Sequence, residues 1–272
     1  MQARHQNRII YFKELSTTSK NYFIPYIQQW HPVEKGTKVL EIGCGEGGNL
    51  LPFAEMGCNT VGIDIAASRI KEAKTFFHTA HAKGTFIAQD IFLLDKMEWS
   101  FDVIICHDVL EHIPHKELFL ATLSKFLKPR GIVFMSFPAW QMPFGGHQQI
   151  CRSKILSHLP FIHLLPTAVY RLLLKVFGED NDCIQELLSI KQTRISIEGF
   201  ESLMKNTNLR IQNRKLWLVN PHYKIKFGLS PRELNRKIAH IPFIRDFFTT
   251  SCFYILTTKM TEKKKILFSV RH

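Results

Sequence analysis

Four glycines fall within six positions in KVLEIGCGEGGNLL (38–51), just behind a short apolar run that carries an acid, Glu41. A turn built on Gly43, Gly45 and Gly47 lets the backbone approach a ligand closely and presents amide N–H groups at a helix start. Further along, carboxylates and imidazoles stand where strands should end: Asp64 in VGIDI, Asp90 in AQDI, His107 and His112 in CHDVLEHI, and His147 in FGGHQQ. A carboxylate there can accept hydrogen bonds from ribose hydroxyls or an exocyclic amine. An imidazole can take up a proton near neutral pH.

Short apolar runs punctuated by glycine must position these groups. TKVLEIG, NTVGIDI, GTFIAQDI, FDVIICHD and GIVFMSFP read as five buried strands. Between them GNLLPFAEMG, SRIKEAKTFFHTA and HKELFLATLSKFL have helical spacing, the pattern of a parallel sheet covered on both faces. After Pro138 the rhythm breaks. Ser196 should cap a helix in ISIEGFESLMKNTNL, followed by strands in NLRIQNRKLWLVN and SCFYILTTKM. Two insertions remain, 139–195 and about 220–250, and both are expected on the ligand side, beyond the carboxyl ends of the strands.

The glycines alone leave the cofactor open, because G-x-G-x-x-G can be laid over Gly43, Gly45 and Gly48 and would suit a dinucleotide. Asp64, 21 residues after Gly43, is shared with that reading. Glu41 is not: an acid two residues before Gly43 repels a pyrophosphate and suits an ammonium group. Asp90 adds a carboxylate for an adenine amine, and the fourth strand delivers more polar residues. With VLEIGCGEG, GIDIAASRI, QDI, FDVIICHDVLEHI and LKPRGIVFMSFP in order, the chain resembles the class I S-adenosylmethionine-dependent methyltransferases of small-molecule type.

The resemblance implies an α/β, doubly wound, Rossmann-like sheet of seven strands, mostly parallel with one antiparallel edge strand, and insertions forming a lid. It divides the chain into an N-terminal helical segment capping the cofactor site (1–36), a cofactor-binding core (37–138), an acceptor lid (139–195), sheet completion (196–259) and a basic tail (260–272). S-adenosyl-L-methionine is the implied cofactor. Gly43, Cys44, Gly45 and Gly47 would cradle its methionine part and Glu41 its amino group; Asp64 with Ile65 would meet the ribose, and Asp90 with Ile91 the adenine. His107 would border both methionine and acceptor, and His147, His107 and His112 are the candidate bases. Gly48 suits helix packing better than ligand contact. LKPRG departs from the family's usual glycine pair, so either Arg130 takes a glycine-like turn or the turn differs.

Composition bears on the acceptor. The 272 residues are 45% hydrophobic and 22% charged, ordinary for a globular enzyme. Residues 1–137 hold 15 basic and 14 acidic side chains, whereas 138–272 hold 21 and 9. So basic a half reads either as solvated lysines or as attraction for a phosphate-bearing, nucleic-acid or anionic-membrane partner. In AVYRLLLKVF, Val169, Leu172, Leu173, Val176 and Phe177 share one helical face, with Arg171 and Lys175 on another. A small or lipid-linked, anionic acceptor methylated on oxygen or nitrogen is expected; RNA or protein methylation is the alternative, and an NAD(P)-dependent oxidoreductase a weaker one. The six cysteines show no C-x-x-C, as reduced thiols would, and no metal-binding spacing of histidines occurs. The polar, basic start MQARHQNRIIYFKE and the lack of a long apolar run lead us to expect a cytoplasmic protein with possible peripheral membrane contact through its basic half.

Overall fold

A computed structural model describes residues 7–94 and 100–259; the basic tail lies outside the described residues. Five strands, β1 (Lys38–Ile42), β2 (Asn59–Asp64), β3 (Thr85–Ala88), β4 (Phe101–His107) and β5 (Leu127–Phe137), run parallel. With β6 (Leu209–Val219), β7 (Arg232–Glu233) and β8 (Ser251–Thr258) they form one sheet ordered β3-β2-β1-β4-β5-β8-β6-β7. β8 lies between β5 and β6 and is antiparallel to both. The fold is the doubly wound α/β sheet expected, with the two-residue β7 as an eighth strand at the edge.

Strand periodicity builds the two faces. Leu40, Ile42, Ile104 and Cys106 point to one side, against Phe119, Leu120 and Leu123 of α5 (Lys116–Phe126). Val39, Val103, Ile105 and Phe134 point to the other, against Phe12, Phe53, Ile70 and Phe77. Those four come from α1 (Arg8–Thr18), α3 (Leu51–Glu55) and α4 (Ala67–Thr79); a π turn at Ser19–Phe23 joins α1 to α2 (Ile24–Ile27). Burial on both faces explains why the strands read as nearly continuous apolar runs. Strand order reverses at β1, which opens a crevice at the carboxyl ends of β1 and β4, where doubly wound sheets bind ligands.

The N-terminal helix is clamped onto the glycine turn. A Cβ at Gly48 would lie 2.6 Å from the Phe12 carbonyl oxygen, so this glycine serves helix packing. Arg130 takes φ +68°, the glycine-like of the two turns that LKPRG allowed, at a cost of about 1 kcal/mol.

Residues 139–195 fold into α6 (Lys154–His158), α7 (Thr167–Val176) and α8 (Asn181–Thr193) around a small core of Leu156, Ile162, Tyr170, Leu174, Ile184 and Leu187. Tyr170 and Leu174 turn α7 inward, leaving Val169, Leu172 and Val176 at 49, 61 and 72% exposure. Ser196 accepts from the Gly199 amide and caps α9 (Ile197–Lys205) as expected. The second insertion contributes α10 (His222–Phe227), α11 (Arg236–Ala239) and α12 (Ile244–Phe248). Arg245 bridges Glu198 and Glu201 at 2.9 Å each, fixing α12 to α9.

Candidate functional site

The turn after β1 uses its glycines for different ends. Gly43, Gly45 and Gly47 all have positive φ. A Cβ on Gly43 would sit 2.4 Å from Val109 Cγ2, and one on Gly47 2.9 Å from the Phe86 ring; on Gly45 the nearest atom is the Arg69 guanidinium at 3.8 Å. Gly43 and Gly47 are therefore packed, whereas Gly45 fronts open space. The Cys44 side chain is buried, so this residue offers the crevice only backbone.

Asp64, at the end of β2, ties this turn to the next. Its Oδ2 accepts from the Gly45 amide at 2.9 Å and its Oδ1 from the Ala66 amide at 2.8 Å. The Gln89 amide donates to the Asp64 carbonyl at 3.0 Å, which brings the end of β3 alongside. There Asp90 is exposed and accepts from the Phe92 amide, while Ile91 is buried beneath it. Ile65 is 79% exposed, an apolar side chain open to a flat ligand.

Glu41 is buried, and its Oε1 accepts from Asn49 Nδ2 at 2.7 Å. Its Oε2 has no hydrogen-bond partner. Burial pushes its carboxyl up to about 8; the Asn49 bond opposes this, and the charges of Asp64 and Glu46 add to it. An unsatisfied buried carboxylate oxygen suits a cationic donor such as an amine. Glu41, Asp64 and Asp90 thus stand at the ends of three adjacent strands, beside a turn whose amides can face a ligand.

A second cluster lies beyond β4 and β5. His112 and His147 meet with ring centroids 5.3 Å apart, and His147 Nε2 is 3.8 Å from Glu111 Oε1. Glu111 is buried with neither oxygen hydrogen-bonded, and burial, then the charge of Asp108, pushes its carboxyl well up. Burial pushes both imidazoles down. One ligand atom from each of buried Glu111, exposed His112 and partly buried His147 lies within 4.8 Å of the others, a donor set that could hold a divalent cation. His107 stands apart from the pair: its Nδ1 is 2.6 Å from Ser136 Oγ and its ring packs on Phe23.

The 139–195 insertion secures this cluster. Thr193 Oγ1 donates to the Glu111 carbonyl at 2.6 Å, and Lys116 donates to the Thr193 carbonyl. Gly145 and Gly146 admit close packing, since added Cβ atoms would lie 2.3 Å from the Trp140 carbonyl oxygen and 2.1 Å from His163 Cβ. Trp140 is buried, with Lys191 Nζ 5.5 Å from its ring centroid, so it serves the lid.

Sequence reading passed over Arg8, Tyr11 and Tyr223. Arg8 pairs with the buried Glu46 of the glycine turn at 2.8 Å. The Tyr11 ring meets His222, beside Tyr223, edge-on at 6.4 Å, and burial, then the charge of Asp108, raises both tyrosines, Tyr223 to about 12. Their elements are remote in sequence, and nothing in local spacing signalled them.

A family profile described as a methyltransferase domain matches residues 33–173, just over half of the chain. The chain belongs to the class I S-adenosylmethionine-dependent methyltransferases. This removes the nicotinamide alternative. The methyltransferase is 36% identical over 125 residues to a ubiquinone biosynthesis O-methyltransferase of Bartonella quintana (strain Toulouse), a match covering 42% of this chain and 49% of that one. It spans about half the length of the curated relatives it matches. Its fold resembles that of PKMT2 from Rickettsia typhi in complex with AdoHcy, with TM-score 0.53 and 22% identity over 89% of this chain and 54% of that chain. It also resembles an S-adenosylmethionine-dependent methyltransferase from Clostridium acetobutylicum ATCC 824, with TM-score 0.54 and 14% identity over 90% and 92%. The family's cofactor, S-adenosyl-L-methionine, carries an amine, a ribose and an adenine. The unpaired Glu41 oxygen, the open side of Gly45, the Asp64 carboxylate and the exposed Asp90 and Ile65 fit such a group.

Proposed function

We propose that this methyltransferase transfers a methyl group to an oxygen of a small or lipid-linked, anionic acceptor, with nitrogen as the other candidate atom. The observation that carries the proposal is the Glu111–His112–His147 cluster beyond the end of β4, where a buried carboxyl meets a partly buried and an exposed imidazole. S-adenosyl-L-methionine supplies, when bound, an electrophilic methyl on a sulfonium. Glu41 accepts from its amine, Gly45 and the turn amides face its methionine part, Asp64 meets its ribose, and Asp90 with the Ile91 backbone meets its adenine. The lid excludes water. His147 accepts the acceptor's hydroxyl proton, with the Glu111 carboxyl 3.8 Å from its Nε2.

Two observations support the nature of the acceptor. The Bartonella relative is named for O-methylation in ubiquinone biosynthesis. The exposed Val169, Leu172 and Val176 of α7, with Arg171 and Lys175 also exposed, form an amphipathic face suited to an anionic lipid surface. No helix among the described residues is long and apolar enough to cross a membrane. RNA or protein methylation is the competing reading, motivated by the basic half.

The test compares metabolites, lipids, RNA and protein from cells with and without the chain, following methyl label from the cofactor. A lipid or small molecule heavier by one CH2 only when the chain is present supports the proposal. Label confined to RNA or protein overturns it.

A further inference from the structure

Away from the crevice, the lid gathers three residues that methyl transfer does not use. Cys151 ends the short turn at Gln148–Ile150; Glu179 and Cys183 lie four residues apart at the start of α8. Their two sulfurs and one carboxylate oxygen lie within 4.8 Å of one another, with Cys151 and Glu179 buried and Cys183 partly exposed. We infer that Cys151, Glu179 and Cys183 form a binding site for a soft divalent metal ion of the zinc class, clipping the loop after β5 to α8.

The chemistry of the donor set carries this. Two thiolates and a carboxylate are zinc ligands, and metal–ligand distances of about 2.0–2.3 Å bring such atoms only slightly closer than they already stand. The carboxylate is already oriented: Glu179 Oε2 accepts from the Arg152 amide and Oε1 from the Ser153 amide, each at 2.9 Å, the outer-shell support that metal ligands receive. The adjacent base does not neutralise the cluster, because Arg152 turns to Asp180 at 2.6 Å. A second, independent observation points to the same place. The Tyr170 hydroxyl is fully buried without a hydrogen-bond partner, in the same small core that holds Cys151 and packs against Cys183. A water in the metal's fourth position would give that hydroxyl a partner.

A disulfide explains less. A Cys151–Cys183 disulfide would leave the oriented Glu179 carboxylate and the Tyr170 hydroxyl without a role. Metal binding instead displaces both thiol protons to solvent, and partly exposed Cys183 offers the way in.

The test titrates the full, reduced, metal-free chain with Co2+ alone. One equivalent should bind with a sulfur-to-cobalt charge-transfer band that Zn2+ abolishes. Cys151→Ser and Cys183→Ser should lose the band while keeping the wild-type circular dichroism; His147→Ala should keep it, which separates this site from the histidine cluster. Without any variant, Zn2+ should shield two of the six thiols from alkylation, identified by mass spectrometry as Cys151 and Cys183. A wild-type chain giving no such band, a band surviving both serine substitutions, or shielding of other cysteines overturns the proposal.

Discussion

Removing the Asp64 carboxylate tests the cofactor crevice most directly. In the structure its two oxygens hold the Gly45 amide at 2.9 Å and the Ala66 amide at 2.8 Å in a largely buried setting. Hydrogen bonds to a charged group contribute about 1.5–3 kcal/mol each, and a buried amide left without a partner costs about as much. Asp64→Ala therefore frees the glycine turn in the empty protein and removes the ribose acceptor from the loaded one. We expect cofactor affinity to fall by roughly 1–3 kcal/mol, about 5- to 150-fold in Kd. Isothermal titration with S-adenosyl-L-methionine reads this, alongside the thermal midpoint of the unliganded chain. Asp64→Asn, which keeps one acceptor oxygen, should fall between. A lowered midpoint with unchanged Kd would show that Asp64 only ties two turns together and would refute its role at the ribose.

The two glycines beside it should separate folding from binding. Gly43→Ala places a methyl against Val109 and should lower the thermal midpoint, with a cost of about 1–3 kcal/mol; Gly45→Ala, free of such a clash, should cost less stability and more affinity. Two buried groups should act on the stability of the unliganded chain in opposite senses over overlapping pH ranges. Glu41, raised by burial to about 8, contributes stability that is present below about 4.5 and lost as pH rises through about 8, so Glu41→Gln should remove a fall in the midpoint between those values. His163, lowered by burial to about 4, contributes stability present above about 6.5 and lost as pH falls toward 4; a His163→Gln chain with the wild-type midpoint-versus-pH slope over that range would contradict its buried, neutral state. His147→Ala should lower kcat by roughly 100-fold or more while leaving cofactor Kd near wild type, and unaltered turnover would remove it from the mechanism.

The sequence by itself determined the sheet and its cofactor end. Apolar runs ending in glycine or an acid dictate buried parallel strands, and chain connectivity then fixes Asp64 and Asp90 at the ends of β2 and β3, with Glu41 in the last turn of β1. These are local facts: the residue that ends a strand is set by the strand's own period. The positive φ of Arg130 is one of the two outcomes that the departure in LKPRG left open.

Only the tertiary structure decided what lies opposite those strand ends. His112 and His147 are 35 positions apart and meet because the lid folds back over β4; the same packing buries Glu111, which on its own reads as the polar edge of a turn. The inward face of α7 was settled by its neighbour α8, whose Ile184 and Leu187 receive Tyr170 and Leu174, although helical spacing alone favours the stripe left outside. Cys151 and Cys183, unremarkable by spacing, converge on Glu179 for the same reason. Hydrophobic periodicity records which side of an element is apolar, while contacts between distant segments depend on how those sides pack, and that free energy belongs to the whole chain.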